Sequence, residues 1–362
     1  MGLLRMFLAL AVFFSHEGYS GLHLLTGEAA VQAFFVVSGF YMALILREKY
    51  VSTPVSVFYT NRFLRLAPTY WVVLLCAWAA MRLFGAAPFS GPEAWNSALS
   101  GPSGPVLAFC NLFTLGDELL FLFALDPETG GLFWTAGRDG HSGAFSYLLL
   151  PQSWSLSMEI YFYLLAPLLV RLRGRGLVVL TLCSFALRCA LLAATPGSDL
   201  LARKIFPSEL WLFLLGVLAW NLYDAHRDRS WRGALNQAVV WLVLAGAAYL
   251  SGLPQPLRVP AFAVSLAMAL PHLFRLSRDC RIDRFIGNLS YPLYIVHFLV
   301  LSLLERLVDM PATSEALALA LAAALLLHLG LERPIDRWRQ RRAVRAGAAA
   351  GGILPGAVAP AA

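Results

Sequence analysis

Charge is scarce in this chain. Asp, Glu, Lys and Arg supply 14 % of its 362 residues, against roughly a quarter in soluble domains. Hydrophobic residues make up 59 % and the mean hydropathy is +0.67. A soluble core stops growing near about 250–300 residues, so this balance excludes one large water-soluble domain. Cysteine is also sparse. The five (Cys76, Cys110, Cys183, Cys189, Cys280) form no CxxC pair, so neither a disulfide framework nor a metal site is expected. Most fall in or beside apolar runs, where a small apolar side chain is the simplest reading. No internal repeat is visible, so the inverted-repeat signature of many transporters is missing. The net charge is +7, but the cations lie between apolar runs rather than along one face, and no nucleic-acid partner is expected.

What the chain has instead is a series of apolar runs, each near the ~20 residues that cross a bilayer. Ten candidate spans fall at about 3–22, 29–46, 67–86, 153–170, 176–194, 205–222, 236–252, 259–274, 285–304 and 313–331. The fold class expected is therefore all-α: a polytopic membrane helix bundle with about ten transmembrane helices. In the first span, a short run from Met6 to Phe14 follows a single Arg5, and no small-x-small cleavage site comes after it. It is expected to stay as a span rather than act as a signal peptide. Residues 1–342 form the expected transmembrane domain. Residues 343–362, rich in Ala, Gly and Pro, are expected to be a disordered cytoplasmic tail.

Basic residues set the orientation, because cytoplasmic loops are enriched in them. With the N-terminus inside, inside segments hold twenty of the 28 Lys and Arg residues, in groups beginning at Arg47, Arg171, Arg227, Arg275 and Arg333. Outside segments hold five (Arg138, Arg203, Lys204, Arg258, Arg306), and Arg5, Arg82 and Arg188 lie within spans. Both termini are then cytoplasmic. Residues 87–152 form one long outer loop, the kind often tied to function. Within it Val106–Leu125 is apolar but interrupted by Asn111, Asp117 and Glu118. A re-entrant or interfacial segment fits; a full span would invert every later loop.

Ionisable groups inside a membrane are costly and are functional candidates by default. Arg5 and His16 are eleven residues apart, which on a helix returns them to one face about 16 Å apart. The plain alternatives are a snorkelling anchor for Arg5 and a hydrogen-bonded core group for His16. Arg62 and Arg65 are three apart, so on a helix they share a face and can clamp a polyphosphate, or serve only as inside anchors.

Several motifs then recur in order. Phe34-Phe35-Val36-Val37-Ser38-Gly39-Phe40 lies in the second span, and Arg62-Phe63-Leu64-Arg65-Leu66-Ala67-Pro68-Thr69-Tyr70-Trp71 opens the third. Trp154-Ser155-Leu156-Ser157-Met158-Glu159-Ile160-Tyr161-Phe162-Tyr163 opens the fourth. Ser290-Tyr291-Pro292-Leu293-Tyr294-Ile295-Val296-His297 and Glu332-Arg333-Pro334 lie near the C-terminus. With Arg5-x10-His16, the ordered set resembles the bacterial acyltransferase-3 family of integral membrane O-acyltransferases. Each motif alone is weak; the ordered set, from Arg5 to Pro334, is specific. Two features depart from the family: no acidic residue precedes Arg5, and no soluble esterase-like domain is appended, so acceptor delivery is expected to rest on the membrane part or a partner.

The resemblance implies an enzyme of the bacterial cytoplasmic (inner) membrane. It would move an acyl group, acetyl by expectation, from acyl-CoA to a hydroxyl of a cell-surface saccharide or lipid-linked glycan. Acyl-CoA is then a donor substrate, and no permanently bound cofactor is expected. A hydroxyl is a poor nucleophile at neutral pH and needs a base, a role a neutral imidazole suits; His16 is that candidate, with Glu159 orienting it or receiving the proton. Arg5, Arg62 and Arg65 are the candidates for the CoA phosphates. Ser38, Trp154, Tyr291, Tyr294 and His297 are candidates for substrate binding. For Trp154 the alternative is an interfacial belt, and for His297 a gate or a structural hydrogen bond. A narrow tunnel running past His16 is expected. The residues leave open a multispan transporter or flippase for a sugar or acyl compound, or a scaffold subunit.

Overall fold

The computed structural model describes residues 1–18, 25–51, 53–135, 143–172, 174–196, 198–227, 233–308 and 312–349. Arg138, Arg173, Arg229 and Arg232, used above for orientation, lie outside the described residues, as does the side chain of Arg345.

The architecture is helical. In chain order the helices are α1 (Gly2–His16), α2 (Gly27–Leu44), α3 (Val55–Phe84), α4 (Pro92–Ser100), α5 (Gly104–Phe113), α6 (Ser153–Leu169), α7 (Arg175–Ala194) and α8 (Leu200–Lys204). They continue as α9 (Phe206–Ala225), α10 (Ala234–Leu250), α11 (Gln255–Ser277), α12 (Arg281–Asn288), α13 (Ser290–Leu307), α14 (Thr313–Leu327) and α15 (Arg333–Ala349). Two π-helical turns, Ile45–Lys49 and His328–Glu332, extend α2 and join α14 to α15.

Each of the ten expected spans falls on a helix, but six helical stretches among the described residues are long and apolar enough to cross a membrane: 27–49, 55–84, 175–194, 255–277, 281–307 and 313–342. The count of about ten is thus not reached on length and hydropathy alone. The reason is physical. α1 has 15 residues, or about 22 Å, short of a ~30 Å hydrocarbon layer. α6 and α10 have 17 residues each, and α6 carries Ser and Glu side chains inward. The chain is a multi-pass membrane protein, and its periphery is apolar: Val178, Val179 and Leu182 on α7, Val239 and Val243 on α10, and Leu319 and Leu326 on α14 are all exposed.

Other boundaries also move. α3 starts at Val55, twelve residues before the expected span, so Arg62 and Arg65 lie inside a helix rather than ahead of one. The outer loop is folded. It holds α4, α5 and an antiparallel hairpin, β1 (Phe123–Leu125) with β2 (Leu132–Trp134), in the register Phe123↔Trp134. A small core of Ala98, Leu107, Cys110, Leu120, Ala144 and Leu148 holds it together. The apolar stretch Val106–Leu125 splits between α5 and β1, so it does not span. α15 runs to Ala349, so the first part of the expected disordered tail is helical; residues 350–362 lie outside the described residues.

α2 is the central helix. In its apolar window 83 % of residues are buried, against 22 % for α7 and for the stretch containing α14. It packs tightly on α9, where Gly39 faces Phe213 and Gly216 faces Val36. A Cβ on Gly39 would overlap the Phe213 carbonyl oxygen, and one on Gly216 the Val36 carbonyl. Small residues let membrane helices approach this closely. Gly39→Ala is therefore expected to destabilise the bundle by about 1–3 kcal/mol, the usual cost of overpacking. Thermal unfolding in detergent checks this; an unchanged midpoint would show that the two helices can separate freely.

Candidate active site

Five helices surround a cavity of about 130 Å³. One stripe of α2 supplies Phe34, Ser38 and Tyr41, and Ile45 of the following π-turn continues it at helical spacing. α6 supplies Ser155, Glu159 and Tyr163, four residues apart in sequence and so on one face. α1 contributes Arg5, α3 contributes Arg62 and Arg65, and α13 contributes Ser290, Tyr291 and Tyr294.

Hydrogen bonds fix these side chains. The Ser38 hydroxyl donates to Glu159 Oε1 at 2.7 Å, and the Tyr163 hydroxyl donates to the same oxygen at 2.5 Å. Two donors on one oxygen hold the carboxylate in a single orientation. Tyr291 donates to the Leu66 carbonyl at 2.7 Å. Tyr294 is bonded to Ser155 Oγ at 2.6 Å and to the Gln152 carbonyl at 3.0 Å. Arg65 is 9 % exposed and lies 3.5 Å from Asp336 on α15. Arg62 lies between the rings of Phe58 and Tyr163, at 5.9 and 5.8 Å, and Arg5 is 5.9 Å from the Tyr41 ring. Among the described residues neither Arg5 nor Arg62 makes an ion pair. Unpaired cations at the wall of a largely apolar cavity create a demand for an anion.

Arg5 is held in place by its helix start. The Asp283 carboxylate on α12 accepts from the backbone N–H groups of Gly2 and Leu3, at 2.6 and 2.8 Å. A side chain distant in sequence thus caps α1 at its positive end.

His16 does not line the cavity. It is the last residue of α1, exposed, with its ring 5.4 Å from His297 and 4.7 Å from Phe298. Its Nδ1 is 2.9 Å from the Val12 carbonyl, so that nitrogen is assigned the proton and Nε2 is the free acceptor. His297 is 1 % exposed. Its Nδ1 donates to the Tyr294 carbonyl at 2.6 Å, and its Nε2 has no hydrogen-bond partner among the described residues. Tyr294 links the two regions: it lines the cavity and its ring is 5.8 Å from that of His297. The cavity lining includes Tyr294 but neither His16 nor His297, so this cavity does not form the expected narrow tunnel past His16.

Trp154 also lies off the cavity. Its ring is covered by the Lys204 ammonium, 3.0 Å from the centroid, which also sits 3.7 Å from the Phe121 ring. The indole face expected to meet a sugar is occupied by this cation. Burial pushes the Lys204 ammonium well below the usual lysine range.

Thus Arg5, Ser38, Arg62, Arg65, Glu159, Tyr291 and Tyr294 share one cavity, while His16 and His297 form a pair beside it and Trp154 stands apart. Tyr41 and Tyr163 were missed by sequence reasoning. The signal was available, since Tyr41 is three residues past Ser38 and Tyr163 four past Glu159, which places each on the same helix face.

The outer segment between α5 and α6 holds two buried carboxylates, Asp117 (0 % exposed) and Glu118 (2 %). Ser153 donates to Asp117 Oδ2, Oδ1 has no partner among the described residues, and Ser157 donates to Glu118 at 2.5 Å. Burial pushes Asp117 up to about 8, with Glu118 adding to the effect and the Ser153 hydrogen bond opposing it. In an unfolded chain Asp titrates near ~4. Between these values the unfolded chain has lost a proton that the folded one keeps, so stability falls as pH rises from about 4 to 8. Asp117→Asn is expected to flatten that slope. Unfolding midpoints at pH 5 and pH 8.5 check it; equal slopes in the two proteins would contradict it.

The helical bundle, with guanidinium groups and a fixed carboxylate around an internal cavity, defines a multi-pass membrane protein with a charged site among its helices. The acyltransferase-3 family model, described as an acyltransferase domain, matches residues 1–332, and the chain belongs to that family. It is an acyltransferase. It is similar to the acyltransferase MdmB of Streptomyces mycarofaciens, 27 % identical over 94 % of this chain and 92 % of that one. Nodulation protein 10 of Rhizobium leguminosarum bv. viciae is 26 % identical over 83 % and 82 %. The exopolysaccharide production protein ExoZ of Rhizobium meliloti (strain 1021) is 27 % identical over 91 % and 96 %. No solved structure gives a significant match.

Proposed function

We propose that this protein is a bacterial inner-membrane O-acyltransferase. It moves an acyl group, acetyl, from acyl-CoA to a hydroxyl of a cell-surface saccharide or glycoconjugate, with both termini on the cytoplasmic side. The observation that carries the reading is the division of the bundle: unpaired Arg5 and Arg62 at one end of α1 and α3, and an exposed imidazole at the other end of α1. CoA phosphates suit the first end. A hydroxyl acceptor arriving from the outer face suits the second. A relative named for exopolysaccharide production supports a saccharide acceptor.

In the reaction the acceptor oxygen attacks the thioester carbonyl carbon, the C–S bond breaks, and CoA leaves as its thiol. His16 Nε2 takes the hydroxyl proton and returns it to the leaving sulfur. The acyl group has to pass Tyr294 to reach His16, so Tyr294, hinged on Ser155 and Gln152, is the side chain that moves. Glu159, held in one orientation by Ser38 and Tyr163, shares the donor cavity with the guanidinium groups without pairing with Arg5 or Arg62.

The test uses purified protein in nanodiscs with radiolabelled acetyl-CoA and isolated envelope glycans. One acetyl increment on the glycan is expected. Movement of glycan across the membrane without consumption of acetyl-CoA would replace this reading with a transporter.

A further inference from the structure

A second, smaller cavity adjoins the first at the end of the bundle that carries Arg5. Its lining includes Lys49, Tyr50, Asn61, Arg62, Arg339 and Gln340. Arg62 and Ile45 line both cavities, so the two meet at Arg62. The enclosed part is about 10 Å³, roughly the room of one water, so a ligand lies across its rim rather than within it.

Three cations and no carboxylate line this notch. Asp336 on α15 is already shared: it lies 2.6 Å from Arg339 and 3.5 Å from Arg65. Lys49 and Arg62 make no ion pair among the described residues, and Arg62 Nε is buried without a hydrogen-bond partner. Arg339 is 5 % exposed and is locked by its bond to the Asn61 carbonyl at 2.9 Å. Asn61 is 1 % exposed; its amide nitrogen donates to Tyr50 Oη at 2.7 Å, while its Oδ1 is left unpartnered.

Ordinary cytoplasmic anchors keep their charged heads in water or headgroups. A guanidinium only 5 % exposed, beside a second whose Nε is buried and unpaired, is not such an anchor. Gathering like charges in a poorly hydrated place is unfavourable unless an anion completes the set.

We propose that Lys49, Arg62 and Arg339 form a subsite for the phosphate-bearing end of a nucleotide-type acyl donor, with Arg62 marking where the donor's thin arm turns into the main cavity. This rests on the acyl-CoA reading above and extends it to Lys49 and to Arg339 on α15, which neither the motifs nor the lining of the main cavity include. α15 then serves the site directly: it brings Arg339 to the phosphates and Asp336 to Arg65.

The experiment compares acetyl-CoA with acetyl-pantetheine, which carries the same thioester without phosphates, on full-length protein in phosphatidylcholine nanodiscs. Wild type is expected to prefer acetyl-CoA in kcat/KM by at least tenfold. Lys49→Gln and Arg339→Gln should each reduce that preference at least tenfold. Lys49 is exposed, so its variant carries the test even if Arg339→Gln loosens α15. A preference unchanged in Lys49→Gln, in an enzyme that uses acetyl-CoA, overturns the subsite and leaves the donor reading intact. Turnover of neither thioester by wild type overturns both. If the Lys49→Gln effect appears only when phosphatidylglycerol is added, the cations bind a lipid headgroup and the subsite is likewise overturned.

Discussion

His16→Ala is expected to lower the rate of acyl transfer by about 10²–10⁴-fold, the contribution of a positioned general base. The residue is exposed at the end of α1, so its removal opens no cavity in the core and the fold should survive. The loss should therefore appear in kcat, with the thermal midpoint and donor binding close to wild type. Radiolabelled transfer to glycan under saturating donor measures it. Activity within threefold of wild type would remove His16 from the chemistry and shift attention to His297, the neighbouring imidazole with an unpaired Nε2.

Glu209→Ala should be the most damaging substitution for stability. Glu209 on α9 is 1 % exposed and pairs with Arg188 on α7, which is 2 % exposed. Gln32 on α2 adds a long contact of 3.4 Å to the carboxylate. The pair ties three helices together deep in the bundle. Two ions in a dry interior recover their desolvation only through each other, so deleting one leaves a buried charge with no compensation, at about 3–5 kcal/mol. The midpoint in detergent should fall by roughly 5 °C or more. Replacing both partners, as Arg188→Met with Glu209→Leu, should recover most of the loss, because an apolar pair of similar volume avoids the desolvation cost. If the single variant were as stable as wild type, or the double variant no better than the single, the pair would not be acting as a buried ion pair.

Much of the helical frame was legible in the sequence because the bilayer imposes a coarse rule: about 20 apolar residues for each crossing. That rule located a helix at all ten expected positions. It misjudged lengths where a helix ends early, as α1 does at His16, and where further turns extend it, as at the start of α3. Helix spacing also placed Arg62 and Arg65 on a shared face, and the ordered motifs singled out Ser38 and Glu159. It had no means of measuring how far a cavity reaches, and so joined His16 to the arginines by a tunnel where the structure sets Tyr294.

The sequence by itself determined that the chain is a membrane helix bundle of the acyltransferase-3 family and which side chains are candidates for chemistry, because hydropathy, charge bias and ordered motifs are properties of the chain. Only the tertiary structure decided which candidates share a space. Contacts such as Ser38 with Glu159, Asp283 with the start of α1, or Lys204 over Trp154 join helices remote in sequence, and helix-to-helix packing, set by close approaches like that at Gly39 and Gly216, has no period that a one-dimensional reading can follow.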